Sequence, residues 1–347
     1  MKLKQKIPAF LLLLSMLIVM CLAVPYGVLA STLTTEESER ISLIPAGTPF
    51  GIKFYIKGVI VVGVTDIETY EGLASPAKNA GLKAGDIITK VNSTEIDTTE
   101  SLSEIIAKSG GDKTVFSVNR SGETLTFDVY PKKSSEDGVY KAGLWVRDST
   151  AGIGTVTYVD ANTNQFAGLG HGICDAETGD PLPLLRGIVT GITITDVVKG
   201  LENAPGELKG EFSAYKIGSL FKNTESGVFG VFDSIAPFSS QSMEICFRDE
   251  LKTGKAYILT TVSGSTPQLY EINIIKIYPN SGKIKNFLIE VTDKQLLAKT
   301  GGIVQGMSGS PVIQNGRLAG AVTHVMINDP TRGYGIFIEN MIDASTD

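Results

Sequence analysis

The sequence predicts a mainly β protein in two parts: a small α+β domain, then a larger all-β domain of two packed barrels or sandwiches. Three observations predict it. Apolar runs of strand length recur at short intervals from Leu144 to Met326, with few helical patterns between them. The two clear helix signatures before that lie among strand runs within the first third of the chain. A polar, Gly-ended stretch, Lys132-Lys133-Ser134-Ser135-Glu136-Asp137-Gly138, separates the halves as a linker. At 347 residues the chain is long enough for two domains with a sizeable core.

The first segment, 1–30, reads as a signal peptide or signal anchor. Lys2, Lys4 and Lys6 precede an apolar run from Ala9 to Val24 broken only by Ser15, and Val28-Leu29-Ala30 is a small-x-small cleavage pattern. The rest of the chain is therefore expected outside the cytoplasm, secreted or membrane-associated. The net charge of -6 leaves no basic surface for nonspecific nucleic-acid binding. Beyond Cys21 only Cys174 and Cys246 remain, which fit either one disulfide or two buried thiols. The only histidines, His171 and His324, are far apart and no Cys-x-x-Cys occurs, so no metal site and no cofactor is expected.

Residues 31–45 are a polar linker. Gly58 to Val64 reads as a buried strand. Ser75-Pro76-Ala77-Lys78-Asn79-Ala80-Gly81-Leu82 is a short helix with proline in its first turn. Lys83-Ala84-Gly85-Asp86 turns into the strand Ile87–Val91. A second helix, Thr98 to Lys108, starts with capping residues and has one apolar face in Leu102, Ile105 and Ile106. Val115–Val118 and Leu125–Val129 form a hairpin across Arg120-Ser121-Gly122. This order of motifs resembles a PDZ domain of the bacterial protease type over 46–132. The resemblance implies an extended peptide bound as an added strand. It puts the carboxylate loop at Phe50-Gly51-Ile52 and the peptide beside the second helix.

After the linker at 133–139, the second domain, 140–347, opens with Leu144–Asp148 and Gly152–Tyr158 as strands. A short helix, Asp293 to Lys299, precedes Gly306-Met307-Ser308-Gly309-Ser310-Pro311. Glycines here permit a sharp turn that carries the Ser308 hydroxyl forward and aims successive N–H groups to one side, as an oxyanion hole requires. Pro311-Val312-Ile313, the turn Asn315-Gly316 and Leu318–Val322 continue it as a strand hairpin. The pattern resembles chymotrypsin-like proteases, with Ser308 as nucleophile and the N–H groups of Gly306 and Ser308 as oxyanion donors. A serine needs a base. His171, flanked by Gly170 and Gly172, is exposed to a cleft by its neighbours. His324, on the second strand after Ser308, fits a wall of the substrate pocket. Asp175, Asp293 and Asp329 are all open as the orienting acid, and Asp293 also reads as a helix N-cap.

Ala151-Gly152-Ile153-Gly154-Thr155, Gly168-Leu169-Gly170-His171, Lys299 through Pro311, and Gly320 through Val325 together resemble the SpoIVB peptidases, sporulation stage IV B proteins. The resemblance implies a PDZ domain followed by a chymotrypsin-like double β-barrel, and the triad His171, Asp293 and Ser308. It also implies an enzyme exported from the forespore into the intermembrane space. There it processes itself and cleaves a regulatory membrane protein, triggering the late mother-cell sigma factor, with the PDZ domain serving self-recognition and substrate targeting. A carboxylate-held base would titrate near or above the ordinary value of about 6.5. Two alternatives are an envelope quality-control protease, marked by broad appetite for unfolded proteins, and an inactive PDZ binding protein, marked by failure to react with serine-directed probes.

Overall fold

β1 (Pro49–Val64) is a sixteen-residue strand that takes part in two folding units, and the fold is organised around this division. Its first half, Pro49 to Ile56, is almost wholly buried and pairs with partners from the all-β domain. Gly58 then takes a positive φ of 103°, where a side chain would meet the Ile88 carbonyl. Beyond it, Val59 and Ile60 pair with a strand of the α+β module. The computed structural model describes residues 40–176, 178–234, 241–282 and 284–346. The segment 1–30, expected to direct export, and residues 31–39 of the expected linker lie outside these, while Ser42–Pro45, expected within that linker, is a strand paired with Tyr158 and Val159.

The α+β module follows. α1 (Pro76–Ala80) ends on Gly81 in the left-handed conformation. β2 (Ile87–Val91) pairs with β1, and α2 (Thr99–Lys108) is capped by Thr98, whose side chain accepts from the Ser101 N–H. β3 (Thr114–Arg120) and β4 (Glu123–Val129) form the expected hairpin, with Ser121 and Gly122 at positive φ. Leu102 and Ile106 bury against Val59, Val61, Ile88, Phe116 and Val118. Fully buried Asp86 is held by Arg120 in a two-pronged pair, Nε–Oδ1 2.6 Å and Nη2–Oδ2 2.8 Å, and also accepts the Lys83 N–H.

β5 (Leu144–Val159) runs antiparallel to β1 through both units. The two strands expected at 144–148 and 152–158 are thus one strand, with a register shift between Arg147 and Ser149. β6 (Gln165–Gly168), β7 (Leu184–Val198), β8 (Glu207–Thr224) and β9 (Gly227–Phe232) follow. Their pairings close a ring in the order β1-β5-β6-β9-β8-β7 and back to β1. Phe50, Ile52, Phe54, Val156, Phe166 and Phe232 fill it.

β10 (Gly254–Thr260), β11 (Gln268–Ile277), β12 (Phe287–Val291), α3 (Lys294–Thr300), β13 (Pro311–Gln314), β14 (Arg317–Met326), β15 (Asp329–Phe337) and α4 (Ile338–Thr346) complete the chain. The six strands among them close a second barrel. The double-barrel class follows. The α+β module is an insertion between the first two strands of the first barrel, and Pro49 to Ile56, expected within the module, pair with the strands of that barrel. From Ile41 on, the chain forms one compact unit. No disulfide joins Cys174, which is exposed, to Cys246, which is buried.

Candidate active site

The Ser308 turn lies between α3 and β13. Gly306 and Gly309 both take φ of 96°, and a side chain on Gly309 would fall 2.0 Å from the Thr155 carbonyl. The close approach exists because β5 of the other barrel binds the turn directly. The Thr155 N–H donates to the Ser308 carbonyl (3.0 Å), Thr155 Oγ1 to the Gly306 carbonyl (2.8 Å) and Thr157 Oγ1 to the Gly309 carbonyl (2.7 Å). Ser310 is buried. Its hydroxyl donates to the Met307 carbonyl (2.6 Å) and lies 2.9 Å from Thr260 Oγ1. Among the described residues, the N–H groups of Gly306 and Ser308 have no protein acceptor, whereas that of Gly309 is taken by the Val322 carbonyl.

His171 comes three residues after the end of β6. Leu169 and Gly170, both at φ of 66°, reverse the chain and turn the imidazole into the cleft. Its Nδ1 lies 2.8 Å from the Gly172 carbonyl. A carbonyl only accepts, so Nδ1 carries the proton and Nε2 keeps its lone pair. Burial holds His171 below the ordinary histidine value, with the Gly172 bond acting the other way.

Ser308, Gly306, His171 and His324 line one cleft of about 720 Å³, together with Ala151 to Ile153 of β5. The Ser308 hydroxyl donates to the Thr323 carbonyl at 2.8 Å rather than to His171. The rings of His171 and His324 are 5.1 Å apart, centroid to centroid, with their planes at 41°. His324 is pushed down to about 4, by burial first and then by the charges of His171 and Lys285.

Asp293 is not brought to this cleft. Its carboxylate caps α3, accepting from the N–H groups of Gln295 and Leu296, both at 2.9 Å. Both bonds fall on Oδ1, so the helix that follows fixes the carboxylate at its N-terminus. Asp329 sits in the β14–β15 turn, held by Thr331 and Arg332. Asp175 does line the cleft, but its Oδ1 accepts the Thr178 N–H and its Oδ2 lies 3.7 Å from Arg147 Nη2.

Phe50-Gly51-Ile52 is not a peptide-binding loop. Phe50 and Ile52 are buried, the whole stretch pairs with β5 on one side and β7 on the other, and Ile52 lies under the active-site cleft. The groove beside α2 is instead walled by Leu102, Ile106 and the segment Ala142 to Val146, and encloses about 630 Å³. Gly143 takes φ of 76° there. Among the described residues, Leu144 to Arg147 have a strand partner only on the β1 side. This wall of the groove, Ala142-Gly143-Leu144-Trp145, stands beyond the expected linker and so outside the segment expected to form the module.

A family model for SpoIVB peptidase S55 matches residues 138–342, and one for the PDZ domain matches 37–130. A Lactococcus lactis subsp. lactis (strain IL1403) protein named as a zinc metalloprotease is 43% identical over 70 residues, which are 20% of this chain and 16% of that protein. Among solved structures, the inactive form of a serine-to-alanine mutant of Rv3671c from M. tuberculosis H37Rv matches at 14% identity and a TM-score of 0.31. It covers 56% of this chain and 80% of its own. The HtrA-type protease AlgW with a decapeptide matches at 12% identity and a TM-score of 0.34, covering 58% and 53%.

Proposed function

Because the chain belongs to the SpoIVB peptidase S55 family, we propose that it is a serine endopeptidase with Ser308 as nucleophile and His171 as base. The observation that carries this is the contact of His171 Nδ1 with the Gly172 carbonyl at 2.8 Å, which fixes the tautomer. With the Nδ1 proton committed to the Gly172 carbonyl, Nε2 is the basic atom in a cleft it shares with the Ser308 hydroxyl. Rotation of Ser308 away from the Thr323 carbonyl passes its proton to Nε2 as Oγ attacks the peptide carbonyl. The N–H groups of Gly306 and Ser308 receive the oxyanion. The imidazolium then protonates the leaving amine, and water releases the acyl group by the same route in reverse.

Substrates are proteins or peptides. The groove between α2 and Ala142–Val146 takes an extended segment as an added strand, and the cleft cuts elsewhere in the same substrate. The family name supports a place in spore formation. There the enzyme, exported with an N-terminal signal or anchor, cleaves itself and a regulatory membrane protein. Labelling by a serine-directed fluorophosphonate tests the chemistry. The label is expected on Ser308 and lost in Ser308→Ala, and equal labelling of that variant rejects the assignment.

A further inference from the structure

We infer that His324 is a positioning residue for the base, a neutral imidazole that supports the imidazolium formed on His171 where other serine peptidases use a carboxylate. The inference rests on the proposed roles of Ser308 and His171.

Three observations carry it. First, the two rings are in contact, 5.1 Å apart, within the cleft that also holds Ser308. His324 directly follows Thr323, whose carbonyl receives the Ser308 hydroxyl, so this pair of β14 residues touches nucleophile and base together. Second, the one carboxylate among the described residues that line the cleft, Asp175, is already engaged by Thr178 and Arg147, and Asp293 lies outside the cleft with its Oδ1 capping α3. Third, His324 Nδ1 is buried and has no hydrogen-bond partner among the described residues. A buried unpaired polar atom is a cost that a phenylalanine or leucine at 324 would avoid. Packing alone therefore does not account for a histidine here, whereas a lone pair beside a transient cation does.

The charge state agrees. Two imidazoles in contact cannot both be protonated cheaply, and burial and Lys285 keep His324 neutral at working pH. Among the described residues, the other titratable groups around the pair are Cys174 and Asp175 in the cleft and Tyr334, which stands opposite His324 on β15. A neutral His324 leaves the additional proton of the pair, the one that makes an imidazolium, to His171.

The test uses the full chain and a fluorophosphonate probe, with the labelling rate measured against pH and probe concentration for wild type, His324→Phe and His324→Gln. Phenylalanine keeps the ring and its packing but removes the nitrogens. The expected result is a fall of about tenfold to a hundredfold in the limiting rate at saturating probe. The probe concentration for half that rate should change little, and the acid-side midpoint should move down because the imidazolium has lost support. Glutamine, with a polar atom restored, is expected to recover part of the rate. Both readouts are taken on the reactive molecules in each sample, so a partly unfolded variant still reports. A phenylalanine variant with wild-type rate and midpoint overturns the inference and reduces His324 to packing. A wild type that does not label at Ser308 removes the underlying reading, and this inference falls with it.

Discussion

Thr155 and Ser308 are joined across the two barrels, the Thr155 N–H donating to the Ser308 carbonyl at 3.0 Å. The same threonine donates its hydroxyl to the Gly306 carbonyl and accepts, at its own carbonyl, the N–H of Leu169 in the loop that carries His171. One buried residue of β5 therefore spaces nucleophile and base. Thr155→Val keeps the shape and the backbone bonds but strands the buried Gly306 carbonyl. We expect about 1–3 kcal/mol lower stability in urea unfolding. We also expect a labelling rate at Ser308 reduced more than the folded fraction explains.

Gly309 is the tightest point of the turn. Alanine there meets both a φ of 96° and the Thr155 carbonyl at 2.0 Å, so the turn must move away from β5. Gly309→Ala should abolish fluorophosphonate labelling. Gly316→Ala, whose side chain would meet nothing within 4 Å, is the control for a positive φ alone and should keep labelling. Robust labelling of Gly309→Ala would contradict the described packing of the turn.

Much of this site was legible because its signals are local. The Ser308 turn, the glycines around His171, the Asn315-Gly316 hairpin and the cap of α2 depend on residues within a few positions of one another. What was not legible depends on distant partners. An aspartate before a helix looks the same whether it caps the helix or orients a histidine, and only the tertiary structure shows Asp293 capping α3. Phe50 to Ile52 form an apolar run whose strand partners, β5 and β7, lie roughly a hundred or more residues away. The same blindness hid the insertion, since β1 and β5 each read as one domain's strand until their pairings are traced. The contact of His171 with His324 joins residues of different barrels and has no sequence signature.

The histidine pair makes a pH prediction of definite sign. His324 has its folded value near 4, below the ordinary value of about 6.5 that the unfolded chain shows. Between these the unfolded state binds the proton and the folded state does not, so this contribution to stability is lost as pH falls from about 6.5 towards 4. His324→Phe should flatten the fall of the urea midpoint across that window, compared with wild type at each pH. For activity, burial keeps His171 neutral below the ordinary value, so the acid limb of labelling should lie under about 6.5 rather than at or above it. An acid limb above 7 would indicate a carboxylate partner for His171 after all.

The groove of the PDZ module can be closed without touching the cleft. Ser103 is exposed on α2 and lines the groove with Trp145, whereas Leu102 and Ile106, which hold the helix to its core, are buried. Ser103→Trp should therefore fill the groove and leave the fold intact. A small fluorophosphonate reaches Ser308 without using the groove, so its labelling rate should match wild type. Cleavage of a protein substrate, or of a second inactive copy of this chain, gains from being held at two sites and should fall about tenfold or more as the effective concentration at the cleft is lost. The two assays must diverge for the groove to be the holding site. If protein cleavage by Ser103→Trp equals that of wild type, substrate does not bind beside α2. The free edge of Leu144 to Arg147 would then have to be explained by something other than peptide addition.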